Sequence, residues 1–299
     1  PGLKNFLEVS KTWKVLAENV LIKRWKGKML EACQNGETKV VQLLLEYCNS
    51  EESGLNIKDE DGMTAFMIAC ANGPKDVVQL LLDHSDPIID LNARTNFGST
   101  ALIKACANGH KDVVQLLLNH SERIELNARS NNGKTAFMLA CYNGHKDVVQ
   151  LLLDNSDIID LNARANGGST AFMIACYKGH KDVVQLLLEH SERIELNAIN
   201  DYGYSGWTAF KKAYGNGYKD VVRLLLDHSD PNIDLNARSN NGNTAFMFAC
   251  RFEHKDVIQL LLEHQEVVDI NIPESFQLSE DIKNMISIYH IVHSMTLQK

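Results

Sequence analysis

The stretch Lys146-Asp147-Val148-Val149-Gln150-Leu151-Leu152-Leu153 decides the fold of this chain. Val148, Val149, Leu151, Leu152 and Leu153 supply an apolar stripe at helical spacing, while Gln150 and the following Asp154 turn to water. The same phrase, or a close variant, begins at Lys75, Lys111, Lys181, Lys219 and Lys255, with a shorter echo at Lys39. Ahead of each full copy stands a block opened by a threonine: Thr64, Thr100, Thr135, Thr170, Thr208 and Thr244. These threonines lie 36, 35, 35, 38 and 36 residues apart. A period in this range belongs to a stacked array of one supersecondary unit, not to a globe built round a catalytic centre. Such an array presents a long surface to another molecule.

One unit runs from Asn131 to Arg164. Asn131-Asn132-Gly133 is turn chemistry, with a glycine able to take positive φ. Thr135 stands at the N-cap of Ala136-Phe137-Met138-Leu139-Ala140-Cys141, which reads as a first helix. Asn143-Gly144 ends it through a left-handed residue. His145-Lys146-Asp147 starts the second helix, Asn155-Ser156 closes it, and Ile158 to Arg164 returns as an extended arm. Lys28 to Ile57 is a copy without its leading hairpin, with Leu30-Glu31-Ala32-Cys33 as its first helix.

This order of hairpin, helix, turn and helix resembles the ankyrin repeat from about Lys28 to Pro273. The motif that carries the resemblance is Gly-x-Thr-x-φ-x-x-Ala, then Gly-His, Val-Val-x-Leu-Leu-Leu and Asn-Ala, φ being an apolar residue. The family's Thr-Pro-Leu-His is replaced by Thr-Ala-Phe-Met, whose Ala and Met are good helix formers. Segments such as Ser85-Asp86-Pro87-Ile88 and Ser121-Glu122-Arg123-Ile124 lengthen the period beyond the family's usual one of about 33. The resemblance implies an all-α, right-handed, elongated ankyrin-repeat solenoid of helix-turn-helix repeats, with short β-hairpin fingers along one edge. Its expected divisions are an N-terminal segment at 1–27, the array at 28–272 and a C-terminal helical cap at 273–299. In the cap Ile282, Met285, Ile286, Tyr289 and Val292 recur at helical spacing.

Hydrophobic content of 44% and charge of 23% suit a soluble folded chain. A net charge of −8 argues against general nucleic-acid binding, which needs a basic footprint. No apolar run approaches the roughly 20 residues that span a bilayer. The expectation is a monomer, cytoplasmic or nuclear, that binds no membrane and holds no cofactor. Six of seven cysteines, Cys33, Cys70, Cys106, Cys141, Cys176 and Cys250, share one register. Helices packed about 8–10 Å apart keep neighbouring copies beyond the roughly 7 Å that a disulfide tolerates, so reduced, buried thiols are expected, Cys48 included. No paired Cys-x-x-Cys offers a metal site.

Four histidines, His110, His145, His180 and His254, precede Lys-Asp, and five more, His84, His120, His190, His228 and His264, end second helices. Members of a column lie a repeat or more apart, too far to share one metal at about 2 Å, so capping and turn stabilisation is their reading. Gly215-Asn216-Gly217-Tyr218-Lys219 fails the phosphate-loop spacing and falls on an inter-helix turn. No nucleophile and base converge, and no enzyme is expected.

Variation between copies gathers at hairpin tips and on the outer side of the first helix. One slot there holds Ile68, Lys104, Leu139, Ile174, Lys212 and Phe248. Three residues on, hence on one face, come Ala71, Ala107, Tyr142, Tyr177, Gly215 and Arg251. The residues next to these include Lys178 and Phe252. The resemblance implies that this face lines a concave groove and binds a protein partner. Leu139, Tyr142, Ile174, Tyr177, Lys178, Lys212, Phe248, Arg251 and Phe252 are the partner-binding candidates, Tyr and Arg being frequent carriers of interface energy. The other reading is partly exposed stacking.

A second column, Arg94, Arg129, Arg164 and Arg238, precedes the hairpins and suits either an anion-seeking surface or hydrogen bonding within the stems. The fifth copy has an enlarged tip, Tyr202-Gly203-Tyr204-Ser205-Gly206-Trp207, whose Trp207 is a further candidate, and Lys211-Lys212 in place of apolar residues. Asn92, Asn127, Asn162, Asn197 and Asn236 sit in Asp/Glu-φ-Asn-Ala, similar to hairpin asparagines hydroxylated in some ankyrin proteins, and equally suited to stabilising a turn.

Leu3 to Trp25 stands outside the repeats. Ser10-Lys11-Thr12-Trp13-Lys14-Val15-Leu16-Ala17 with Trp25 resembles the C-terminal half of an F-box, without that motif's leading Leu-Pro part; a helical cap over the first repeat is the other reading. Two functions follow: a non-catalytic protein-interaction scaffold, or the substrate-receptor arm of an F-box type ubiquitin ligase.

Overall fold

Thr135 Oγ1 accepts a hydrogen bond at 3.3 Å from the backbone N–H of Met138, satisfying one of the orphan donors at the start of a helix. The same cap recurs at Thr64, Thr100, Thr170, Thr208 and Thr244. Each is worth about 1 kcal/mol. These caps come from a computed structural model that describes residues 27–47, 54–84, 89–201, 208–228 and 234–296. The N-terminal segment, Cys48, the loop at 85–88 and the enlarged tip with Trp207 lie outside the described residues.

The chain divides into two compact units, Pro1–Asn131 and Asn132–Lys299. In the first, α1 covers 27–35 and is followed by α2 (Thr38–Tyr47), α3 (Ala65–Asn72), α4 (Lys75–Asp83), α5 (Ala101–Asn108) and α6 (Lys111–Leu118). In the second come α7 (Ala136–Asn143), α8 (Lys146–Asp154), α9 (Ala171–Lys178), α10 (Lys181–Leu188), α11 (Ala209–Gly215), α12 (Lys219–Asp227), α13 (Ala245–Arg251), α14 (Lys255–Glu263) and α15 (Glu280–Thr296). Within each unit first helices stack on first helices (α3 on α5; α7, α9, α11 and α13 in series) and second helices on second helices (α2, α4 and α6; α8, α10, α12 and α14).

The core follows from the recurring phrases. Val148, Val149, Leu151, Leu152 and Leu153 of α8 are buried, as are Ala136, Phe137, Met138, Ala140 and Cys141 of α7. Burying each large apolar side chain contributes about 1.5–3 kcal/mol. Stacking is thus driven by much the same slots from copy to copy. At the C-terminal end Ile282 of α15 is fully buried and α15 packs on α14, while Ile288 and Ile291 stay exposed.

Two expectations change. Among the described residues no strand forms: the described fingers are tight turns, and β-hairpins are not seen there. Those at 59–63, 95–99, 165–169 and 239–243 close with one backbone bond, such as Thr95 N–H to Ser99 C=O at 3.0 Å, and a tight turn, Gly98 N–H to Thr95 C=O at 2.8 Å. Neighbouring tips share one more, such as Asp201 N–H to Gly167 C=O at 3.0 Å. A single bond per pair is too little for a ladder. The arm after the second helix is also not extended. Ile158 N–H bonds back to Asn155 C=O, Asn162 N–H to Asp160 Oδ1, and the buried Ile159 and Leu161 anchor the turns between.

Candidate functional site

The first helices α3, α5, α7, α9, α11 and α13 carry eight residues or fewer and are covered on most sides, so only a narrow band of each meets solvent. In the second unit that band lines a cleft of about 810 Å³. Its walls include Tyr142 of α7, Ile174 and Tyr177 of α9, Lys212 of α11 and Phe252 after α13, together with Lys134, Asn166 and Asn200 from the fingers. Tyr177 is 46% exposed and Phe252 51%. Leu139 is half-buried and Arg251 exposed, with its guanidinium 5.8 Å from the centroid of Phe276.

Ile174 and Phe248 correct the expectation of an exposed slot: each is only 7% exposed. Ile174 is reached from the cleft as part of its floor, whereas Phe248 does not line it.

Charge in the cleft is organised by the two tyrosine rings. Lys134 Nζ lies 4.5 Å from the Tyr142 centroid and Lys178 Nζ 4.2 Å from it. Lys178 Nζ is also 5.6 Å from the Tyr177 centroid, and Lys212 Nζ 5.3 Å. The negative ring faces hold the ammonium groups. Lys178 beside Tyr142 lowers the phenol's pKa, and the pair raises that of Lys178. Burial lowers that of Lys212. Lys134 escaped the sequence reading, although its slot, one before the cap threonine, varies from Met63 through Ser99 and Ser169 to Trp207 and Asn243. Comparing that slot between copies would have found it.

The arginines point between repeats. Arg94 donates to the carbonyls of Gly98 and Arg129 and pairs with Glu125 at 2.9 Å. Arg164 donates to the Ile199 carbonyl and pairs with Glu195 at 3.0 Å; Arg238 donates to the Gly242 carbonyl and pairs with Asp269 at 2.8 Å. Arg129 is exposed. The asparagines act alongside. Asn162 Nδ2 donates to the Arg193 carbonyl while its Oδ1 accepts from Glu195 N–H, both at 2.8 Å. Asn92 and Asn236 repeat this bridge, and Asn197 Oδ1 accepts from Asp234 N–H. Asn127 is exposed.

The histidines before Lys-Asp do not cap their own helices. His110 Nε2 reaches the Ala71 carbonyl at 2.8 Å, His180 the Tyr142 carbonyl at 2.8 Å and His254 the Gly215 carbonyl at 3.0 Å, each in the preceding repeat. At the end of the second helix His84, His120, His190 and His264 bond instead to the carbonyl four residues back, as His190 does to Leu186. The six register cysteines form no disulfide and are buried, and burial raises the thiols of Cys33 and Cys250 to about 12. Such thiols stay protonated and unreactive. Lys211, 1% exposed, occupies the core slot held elsewhere by Met67, Ile103, Met138, Met173 and Met247, and burial lowers its pKa to about 8. Tyr214, in the cysteine slot of the same helix, packs edge-on against Phe210 and is fully buried.

Among the described residues no helix is long and apolar enough to cross a membrane, and no three His, Cys, Asp or Glu side chains gather as a metal ion would need. A family model described as ankyrin repeats in three copies matches residues 29–130, 87–165, 123–200 and 192–274. No curated protein matches the chain.

Proposed function

The chain belongs to the ankyrin-repeat family, and from that premise we propose that it is a non-catalytic scaffold whose protein partner docks on the outer face of α7, α9, α11 and α13. Ankyrin repeats are generally protein-interaction modules, and the observation that carries the finer reading is the cleft itself. Tyr142, Tyr177 and Phe252 line one concave surface with Ile174 at its floor. Large amphipathic rings in a concavity combine contact area with low entropy cost. In this reading Arg94, Arg164 and Arg238 serve the stack, because their guanidinium groups already meet carboxylates and carbonyls of neighbouring copies. The test replaces Tyr177, or Gln115 on the exposed side of α6, with a photo-crosslinking amino acid in cells. Protein adducts from position 177 and not from 115 are expected; equal yields at both would sink the reading.

A second reading makes the same face the target-holding surface of a ubiquitin ligase. It is favoured by one sequence feature, the Trp13-x-x-Leu16-Ala17 and Trp25 resemblance to an F-box. Co-purification of ligase core subunits with the chain, lost on Trp13→Ala, is its test; no such subunits at all would remove it.

A further inference from the structure

We infer that the α7–α13 cleft selects a carboxylate-rich, extended segment of its protein partner, with an apolar side chain seated on Ile174 and Phe252. This inference rests on the docking face proposed above and adds the chemistry of what docks there.

The chain is acidic overall, with 38 Asp and Glu against 30 Lys and Arg. Among the described residues, however, no Asp or Glu lines the cleft, whereas Lys134 and Lys212 do. Lys178 joins them through its place over the Tyr142 ring. Elsewhere cations on exposed faces meet carboxylates, as in Arg94–Glu125, Arg164–Glu195, Arg238–Asp269 and Lys255–Asp281. Here Lys178 and Lys212 lie over tyrosine rings. Lys178 also hydrogen-bonds the Tyr142 hydroxyl, and an ammonium carries three donors, so the ring contacts leave further N–H groups able to meet an incoming anion.

Burial has already stripped part of the water from Lys212 and lowers its pKa. An arriving carboxylate meets an ammonium that has less hydration left to lose.

Geometry separates a run of carboxylates from one concentrated anion. The three lysines come from three consecutive repeats, entering α7, ending α9 and within α11. Stacked helices lie about 10 Å apart, so four first helices span about 30 Å, the reach of about nine extended residues. The ammonium groups are closer together than that span: Lys134 and Lys178 share the Tyr142 ring and Lys178 and Lys212 the Tyr177 ring, so each pair lies within about 11 Å, the reach of carboxylates two to three residues apart along a strand. A phosphate group, which favours a convergent arginine fork, does not match that spacing. Nucleic acid fits worse: the net charge of −8 repels a polyanion, and the Tyr142 ring already carries two ammonium groups where a base would stack.

A random-peptide display library is selected against the intact chain and, in parallel, against Lys134→Gln/Lys178→Gln/Lys212→Gln. The expected winners on the native chain are rich in Asp and Glu around one large apolar residue. They should bind about tenfold more weakly to the triple variant and weaken as salt rises through the range where the Debye length falls below about 10 Å. Winners that are neutral or basic, yet need Tyr142 and Tyr177, would overturn the carboxylate inference and leave the docking face standing. Winners indifferent to both the lysines and the tyrosines, or no winners, would overturn both. Tighter binding of a labelled oligothymidylate than of the acidic winners would point to nucleic acid and overturn the inference as well. An unchanged unfolding transition in the triple variant keeps these readings independent of folding.

Discussion

His180 occupies the space in which a β-carbon on Gly144 would sit: that atom would fall 2.6 Å from the imidazole Nδ1, while the ring's Nε2 lies 2.8 Å from the Tyr142 carbonyl. One ring thus closes the helix end of the preceding repeat and fixes the backbone of a docking residue. His110 over Gly73 and His254 over Gly217 repeat the arrangement, and Tyr218 takes the same place over Gly179. In the sixth copy, Glu253 stands in the glycine's slot at a φ of 56°. After α14 the chain continues into α15 and not into another His-Lys-Asp turn.

Gly144→Ala is therefore expected to destabilise more than Gly242→Ala. Both have positive φ, which costs a side chain about 1–2 kcal/mol. A β-carbon on Gly242 meets nothing within 4 Å, whereas one on Gly144 must displace the His180 ring at a further cost of about 1–3 kcal/mol. Denaturant midpoints of the two variants measure the difference, and equal shifts would contradict the packing role of the ring.

The asparagine bridge should outweigh the ion pair beside it. Asn162→Ala removes two hydrogen bonds between repeats and leaves a carbonyl and an N–H without them, for about 1–3 kcal/mol. Glu195→Gln removes only the charge facing Arg164, both side chains being about half exposed, for about 0–1 kcal/mol. Chemical unfolding of both variants in low and high salt tests this ranking. A larger effect of Glu195→Gln at high salt would reverse it.

Most of the stack was legible in the sequence because its elements are set by local chemistry. A cap threonine, a left-handed glycine and Val-Val-x-Leu-Leu-Leu each act within a few residues, and all appear where expected. The fingers were less legible: turn residues mark a reversal, but nothing in Asn131-Asn132-Gly133 says whether the flanking arms are long enough to pair. The cleft was partly legible. Tyr142, Tyr177 and Phe252 stood out by differing between copies, but Ile174 and Phe248 were placed on the open side and are buried. In a helix of about two turns, one residue's displacement round the axis moves a side chain from solvent into the neighbouring repeat. Which side a neighbour covers is settled by stacking and not by the helix's own pattern.

Lys211→Met is expected to stabilise the fold by about 1–3 kcal/mol at pH 7, since a hydrophobic residue replaces a buried charge in a slot that holds Met in four other copies. The pH dependence has a definite sign. Burial lowers the Lys211 pKa from 10.5 to about 8, so between these values the unfolded chain binds more protons than the folded one. The penalty is fully present below about pH 8 and fades as pH rises towards 10.5. The advantage of the Met variant in thermal or chemical unfolding should therefore shrink between pH 7 and pH 10. An advantage that grows with pH would contradict it.

Native protein should resist alkylation at Cys33, Cys70, Cys106, Cys141, Cys176 and Cys250, because each thiol is buried and burial raises the pKa of Cys33, Cys70, Cys106, Cys176 and Cys250. Peptide mapping after iodoacetamide treatment, native against urea-unfolded, reads this directly. Labelling of any of the six at the unfolded rate would place it at the surface.

The most direct measurement compares the affinity of a crosslinked and identified partner for the native chain, Tyr142→Ala/Tyr177→Ala and Gln115→Ala. Truncating interface anchors typically costs on the order of 2 kcal/mol, or roughly thirtyfold in affinity. Unfolding should shift by only about 1 kcal/mol, the loss of the lysine–ring contacts. Strong loss of binding in the double variant, with folding nearly unchanged and Gln115→Ala indistinguishable from native, is the expected result. Native affinity in the double variant would contradict docking on α7, α9, α11 and α13.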